Sequence, residues 1–368
     1  MDTNNEMSEQ DLDAIRDGAV KALGSLPTRS RLRALLTERG AFDRELWNLV
    51  AELGWLGMTL PEQDGGLGLP LAARCVLAEE IGRQVASIPY TAATCALSAI
   101  ARSGSAAQKQ ALLGPGLDGS RIATVACFEP GEAGVPAPFA TTFDGSRLRG
   151  EKVGVCAGAF AASAIVLAAD ASGAPVMTIA DLSNPAVTRT VHDTVDNSRG
   201  LADLRFEGAP AERLGGADAI HALLEELCIV TAFEQIGGAQ DCLHTTRDYA
   251  LQRRVFGQPI GAFQAVKHGL ADLYVLIEIA RGAAWSSLRA EPADRAVAAA
   301  AARVAGTRAY DTSAQEAIQL HGGIGTTWES DQHLHYRRAR CLALEWGGPQ
   351  YWRNRILDGT IDVAERAA

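Results

Sequence analysis

Residues 248–272 read DYALQRRVFGQPIGAFQAVKHGLAD. Tyr249, Ala250 and Leu251 continue a helix, the chain breaks across Phe256-Gly257-Gln258-Pro259-Ile260-Gly261, and a second helix follows. Pro259 cannot continue the first helix, and the flanking glycines permit a tight reversal. In the second helix Phe263, Val266, Leu270 and Leu273 recur on one apolar face, with Gln264, Lys267, His268 and Asp272 on or near the polar side. Arg253-Arg254 beside the glycine turn offers guanidinium forks suited to phosphoryl oxygens. Judged on residue types alone, a helical hairpin with a solvated basic end is the commoner explanation of such a turn.

Working outward, the chain has 368 residues, enough for two or three domains and a large core. A net charge of −10 argues against non-specific nucleic-acid binding. No apolar run approaches the ~20 residues that span a bilayer. The acidic N-terminus, MDTNNEMSEQDLDAIRDG, lacks the apolar core of a signal peptide. Seven cysteines at 75, 95, 127, 156, 228, 242 and 341 form no C-x-x-C pair. Reduced, buried thiols in a cytoplasmic protein are expected, with no zinc site.

Residues 1–118 read as helices, with Leu32, Leu35, Leu36, Leu46, Trp47, Val50 and Leu53 at helical spacing. Between 119 and 215 the pattern changes to short β-rich runs: Arg121 to Phe128, Ser163 to Ala168, Val176 to Ala180, Thr188 to Val191 and Leu204 to Phe206. They suggest a compact barrel or sandwich. From 216 to 368 the chain is helical again, with Ala217 to Tyr249 read as one long amphipathic pattern, followed by Ala262 to Leu288 and Arg295 to Leu320. Helices, a β module, then four long helices is an α+β order and not an alternating one. No G-x-G-x-x-G follows a strand, and no G-x-S-x-G elbow supports hydrolase chemistry.

The run from Arg253 to Gln264, R-x-x-F-G-x-P-I-x-x-F-Q, followed by Leu270-Ala271-Asp272, resembles the helical-hairpin motif of the acyl-CoA dehydrogenase family. Three further segments are similar to that family: Pro61-Glu62 with Gly65-Gly66 and Gly68, Glu129-Pro130 with Glu132-Ala133-Gly134, and Gln319-Leu320-His321-Gly322-Gly323-Ile324-Gly325. The resemblance covers nearly the whole chain. It implies an N-terminal helical domain, a central β domain, a C-terminal four-helix-bundle domain, and FAD lying across a subunit interface. By the same resemblance, Arg253 would meet the pyrophosphate and Phe256 the adenosine side. Gln264, Gln319, Gly322 and Gly323 would complete the ADP contacts. Val255 departs from the hydroxyl residue that many members have there.

The flavin-side pattern is eroded. Where members carry G-x-K-x-W-I-T-N, this chain reads GEKVGVCAG from Gly150, so Gly154 replaces the shielding aromatic, and Cys156 and Ala157 replace hydroxyl and amide residues. Val135 and Pro136 likewise stand for a serine and an aspartate. The positions of the family's catalytic glutamate fall on Trp346 or Leu227; Glu345 and Glu226, each one residue away, are the remaining candidate bases. On a helix one residue is about 100° of rotation. The resemblance therefore implies a subunit of a heteromeric, α2β2 acyl-CoA dehydrogenase of the kind that oxidises steroid side-chain CoA thioesters. A homologous subunit would complete the site, and an electron-transferring flavoprotein would accept the electrons. Three alternatives stay open: a self-sufficient homotetramer using Glu345 or Glu226, a flavin monooxygenase on the same fold, and a structural or regulatory partner. His333 and His335 fall on different helical faces, so no metal site is expected. Glu329 and Asp331 are expected to form a charge network with Arg337 and Arg338, and Glu234 to serve packing.

Overall fold

The computed structural model describes the backbone of residues 7–367 and the side chains of residues 7–360. Six helices come first: α1 (Glu9–Gly24), α2 (Thr28–Leu35), α3 (Arg44–Glu52), α4 (Leu71–Arg83), α5 (Tyr90–Ser103) and α6 (Ala106–Leu117). Local chemistry sets several of their starts. Ser8 and Asp11 form a capping box on α1, as do Ser105 and Gln108 on α6, and the Asp43 carboxylate caps α3.

Seven strands follow: β1 (Ala123–Ala126), β2 (Thr142–Phe143), β3 (Arg147–Val155), β4 (Ser163–Asp170), β5 (Pro175–Asp181), β6 (Val187–Val191) and β7 (Ala202–Gly215). The pairings β4–β2–β3–β7–β5 return to β4, so five strands close on themselves, with β1 added on β4 and β6 on β7. β3 was not among the expected runs, and β7 is far longer than Leu204 to Phe206. The 14 residues of β7 pair with β3 and β6 along one half and with β5 along the other. Both strands alternate buried and exposed residues through charged side chains, so neither shows an apolar run.

The C-terminal part holds four long helices, α7 (Ala217–Gln252), α8 (Gln264–Arg289), α9 (Arg295–His321) and α11 (Pro349–Ala367), with the shorter α10 (Gln332–Leu344) between the last two. α7 corrects the amphipathic expectation. Every residue from Glu226 to Ala239 is buried, so this helix is enclosed on all sides by α4, α5, α8 and α9. Small residues make that enclosure fit. A Cβ at Gly237 would lie 1.8 Å from the Glu79 carbonyl oxygen of α4, and one at Gly82 would lie 1.9 Å from the Glu234 carbonyl oxygen of α7. Gly237→Ala is expected to lower stability by about 1–3 kcal/mol by forcing these backbones apart. A denaturation midpoint equal to that of the unsubstituted chain would contradict this close crossing.

All seven cysteines are buried and unbonded, and no helix among the described residues is long and apolar enough to cross a membrane.

Candidate functional site

The hairpin after α7 is built for display. Arg253 leaves the helix in an extended conformation, and its N–H donates to the Tyr249 carbonyl at 2.8 Å. Arg254 and Val255 pair antiparallel with Pro259 and Gln258, closing a turn through Phe256 (φ +52°) and Gly257 (φ +81°). Glycine accepts that backbone freely; a bulky aromatic does not. Phe256 is nonetheless held there with 92% of its surface exposed. Strain and apolar exposure at one residue favour a contact outside this chain.

Arg253 is exposed and makes no ion pair among the described residues. Gln264 is the first residue of α8, whose N-terminus has no side-chain cap and so presents unsatisfied N–H groups. At the end of α9, Gln319, Gly322 and Gly323 are all exposed, and a Cβ at either glycine would meet nothing within 4 Å. The two segments are joined directly: the rings of Tyr249 and His321 stack at 4.3 Å, and the Tyr249 hydroxyl donates to the His321 carbonyl at 3.3 Å. Leu251 of α7, Tyr274, Val275 and Ile279 of α8, and Ile324 and Trp328 after α9 are large apolar side chains 48–63% exposed.

In the segment expected on the flavin side, Val155 to Gly158 are buried. Its retained motif residues serve the fold: Lys152, fully buried, reaches Glu129 at 2.7 Å, and Glu129 also accepts the Ala140 and Thr141 N–H groups at 2.7 and 2.8 Å. Burial pushes the Glu129 carboxyl up, but Lys152 and the two N–H donors outweigh it and hold it below its ordinary value. Gly154 is exposed, at φ +59°, with open space where a side chain would stand. Cys156 and Ala157 are buried; the Cys156 carbonyl accepts from the Thr124 hydroxyl at 2.5 Å, and Ala157 N–H donates to the Arg199 carbonyl at 2.9 Å. Between Val125–Phe128, Val153–Cys156 and Glu345–Trp346 only ≈ 10 Å³ is left, room for about one water. Nearby, the Tyr351 ring lies against Gly134, and Gly348 N–H donates to the Ala133 carbonyl at 3.1 Å.

Both candidate bases are engaged. Arg199, from the turn before β7, grips Glu345 with two bonds of 2.7 and 2.6 Å and reaches Glu234 at 3.2 Å. Arg338 holds Asp196 at 2.7 Å and lies 3.7 Å from Glu234, while Arg303 donates to the Glu345 carbonyl at 2.8 Å. Two guanidinium groups, Arg199 and Arg338, thus face three carboxylates, Glu345, Glu234 and Asp196, all buried, across the junction of the β module with α7 and α10, while Arg303 of α9 bonds backbone carbonyls beside them. Burial alone would lower the Arg199 value, but Glu345 and Glu234 outweigh it and hold the guanidinium well above its ordinary range. Glu226 is enclosed separately, paired with buried Arg74 of α4 and, at 3.1 Å, with Arg102 of α5. Neither carboxylate faces open space.

The remaining expectations sort as follows. Glu234 belongs to the buried network as well as to the α4–α7 contact. Asp331 pairs with Arg29 and Arg33 of α2; Arg337 and Arg338 find other partners, the Val195 carbonyl and Asp196. Tertiary approach of α2 overrides the local spacing. His335 is buried between Asp241 and the Tyr310 hydroxyl, His333 bonds the Trp328 carbonyl, and no metal-binding cluster exists among the described residues. Arg74, Arg199 and Arg303 were not singled out from sequence. The available signal was an arginine set among small or apolar neighbours, as in LAARCVLA, NSRGLA and AAARVAG.

Comparison with known proteins places these halves in context. Residues 13–120 match the acyl-CoA dehydrogenase N-terminal domain and residues 215–361 the acyl-CoA dehydrogenase C-terminal domain. The chain is 34% identical to acyl-CoA dehydrogenase FadE27 of Mycobacterium tuberculosis, covering 97% of this chain and 98% of that one. Among solved structures, a variant of the Tcur3481-Tcur3483 steroid ACAD superimposes with a TM-score of 0.89 at 32% identity, over 97% of this chain and 99% of the other. The ChsE4-ChsE5 complex from Mycobacterium tuberculosis gives 0.87 at 28% identity, over 98% and 99%.

Proposed function

This chain belongs to the acyl-CoA dehydrogenase family, and on that premise we propose that it is the FAD-clasping, non-catalytic subunit of a heteromeric acyl-CoA dehydrogenase. The observation that carries the reading is the contrast between its two half-sites. The segments expected on the ADP side are exposed and carry Arg253 and Arg254, whereas the crevice expected on the flavin side has room for about one water and both candidate carboxylates are ion-paired. The residues present suit the ADP portion of FAD and do not suit its ring system. In the assembly FAD supplies hydride acceptance; this chain's part is to hold the ADP end, with Arg253 offsetting phosphate charge and Gly322-Gly323 letting the backbone come close.

The exposed apolar group on the hairpin, α8 and the segment after α9 suits a homologous subunit, which would bring the flavin pocket and the catalytic carboxylate. An α2β2 assembly with two FADs follows, in the cytoplasm, passing electrons to an electron-transferring flavoprotein. Relatives described as a steroid ACAD and as a two-component complex support a CoA thioester of a steroid side chain as substrate.

The test is the visible flavin spectrum of the chain purified alone and with the homologous subunit. The expected result is a colourless chain alone and a yellow complex with one FAD per pair of unlike subunits. A homotetramer of this chain carrying four flavins would overturn the reading. Within the complex, Arg253→Ala is expected to lower FAD affinity by roughly tenfold or more, since charge-assisted bonds are worth about 1.5–3 kcal/mol. Unchanged FAD affinity in that variant would favour a structural or regulatory role instead.

A further inference from the structure

Arg253, Gln319 and the two glycines do not account for everything at the open half-site. His321 stands between them, on the last turn of α9, and its ring geometry is specific. Nδ1 lies 2.7 Å from the Ala317 carbonyl oxygen. A carbonyl can only accept, so Nδ1 carries the proton, and in the neutral ring Nε2 is left with a lone pair. Burial holds this imidazole below its ordinary value, which keeps the ring neutral near pH 7. Nε2 has no hydrogen-bond partner among the described residues. Tyr249 stacks on the ring with 22° between planes, and with the Ala317 bond this sets the ring's orientation. Tyr249 in turn lies one helical turn before Arg253.

A lone-pair nitrogen is useless to a phosphate, whose oxygens also only accept. It suits a hydroxyl or amino hydrogen. Within an ADP portion those donors belong to adenosine: the ribose hydroxyls and the 6-amino group.

We propose that His321 is an adenosine-recognising residue of this subunit, its Nε2 accepting a hydrogen bond from FAD, and that Tyr249 is the residue that positions it. This rests on the ADP-clasping reading above. It adds a contact of stated polarity, separate from the charge contact at Arg253.

The experiment titrates FAD and FMN into the flavin-depleted heteromeric complex and takes the ratio of their affinities for each variant. FMN lacks the AMP unit, so the ratio reports the contacts to that unit, and His321→Phe removes only the proposed adenosine one. Partial unfolding weakens both ligands alike and leaves the ratio unchanged. His321→Phe keeps a stacking ring and removes the acceptor; it is expected to lower the FAD/FMN ratio about fivefold, the worth of one ordinary hydrogen bond. His321→Gln, which restores an acceptor, is expected to recover part of it. Tyr249→Leu, which removes the stacking ring, should lower the ratio as His321→Phe does. An unchanged ratio in His321→Phe, with Arg253→Ala still weakening FAD, overturns this inference alone. An unchanged FAD affinity in Arg253→Ala overturns the reading beneath it as well.

Discussion

Arg199→Ala is expected to destabilise the fold by about 3–5 kcal/mol, the usual cost of breaking a buried ion pair from one side. Glu345 would lose both of its guanidinium bonds and Glu234 one, and neither can turn to solvent at 6% and 2% exposure. Of the two guanidinium groups that face Glu345, Glu234 and Asp196, only Arg338 would remain, leaving an excess of buried negative charge. Removing both ends together, as in Arg199→Met with Glu345→Met, is expected to cost markedly less, because no orphaned carboxylate remains in the Arg199–Glu345 pair. Chemical denaturation midpoints of the two variants provide the measurement. Equal losses in both would mean that packing, not charge, sets the value of this junction. Turnover gives an independent readout: Glu345→Gln should leave turnover per folded complex unchanged. Abolished turnover with unchanged stability would restore Glu345 as the base.

Glu226→Ala is expected to show a loss of similar size, about 3–5 kcal/mol, by leaving Arg74 buried at 2% exposure without its carboxylate. Arg102, more exposed, should add little. This pair also has a pH signature whose sign follows from the structure. Burial would raise the Glu226 carboxyl, but Arg74 and Arg102 outweigh it and hold the carboxyl below its ordinary 4.5. A folded value below the unfolded one means that the pair stabilises the fold above about pH 4.5 and loses that contribution as pH falls through the folded value. The gap between parent and Glu226→Ala should therefore be full at neutral pH and narrow in acid. A gap that stays constant down to the acid limit would show that Glu226 acts through packing alone.

Much of the architecture was legible along the chain because its signals are local. The Pro259 break with its glycines, the change from helical spacing to short β runs near 119, and the return to helix after 216 each depend on neighbouring residues. The motif expected on the ADP side is local in the same way: Arg253 to Gln264 lie in one hairpin, and Gln319 to Gly323 at one helix end. β3 and most of β7 were not legible, since their charged alternation becomes strand only when the two pair with each other. The enclosure of α7 was hidden in the same way. Gly237 beside Glu234 suggested a helix contact, but its partner Gly82 shows its role only where the two helices cross.

At the candidate site the division is sharper. Sequence alone established the absences: no aromatic at Gly154, and no acid at Trp346 or Leu227. It left Glu345 and Glu226 open, because a one-residue offset is a matter of where a side chain points. Only the tertiary structure decided their situation, by bringing Arg199 from the β module and Arg74 from α4 against carboxylates 146 and 152 residues away in sequence. Residue types and short spacings are written in the chain, whereas the partner of a buried charge is set by the packing of distant elements. Family and the order of helical, β and helical parts therefore came from sequence. The tight packing between Val153–Cys156 and Glu345–Trp346, and the pairing of the two carboxylates, came from the fold.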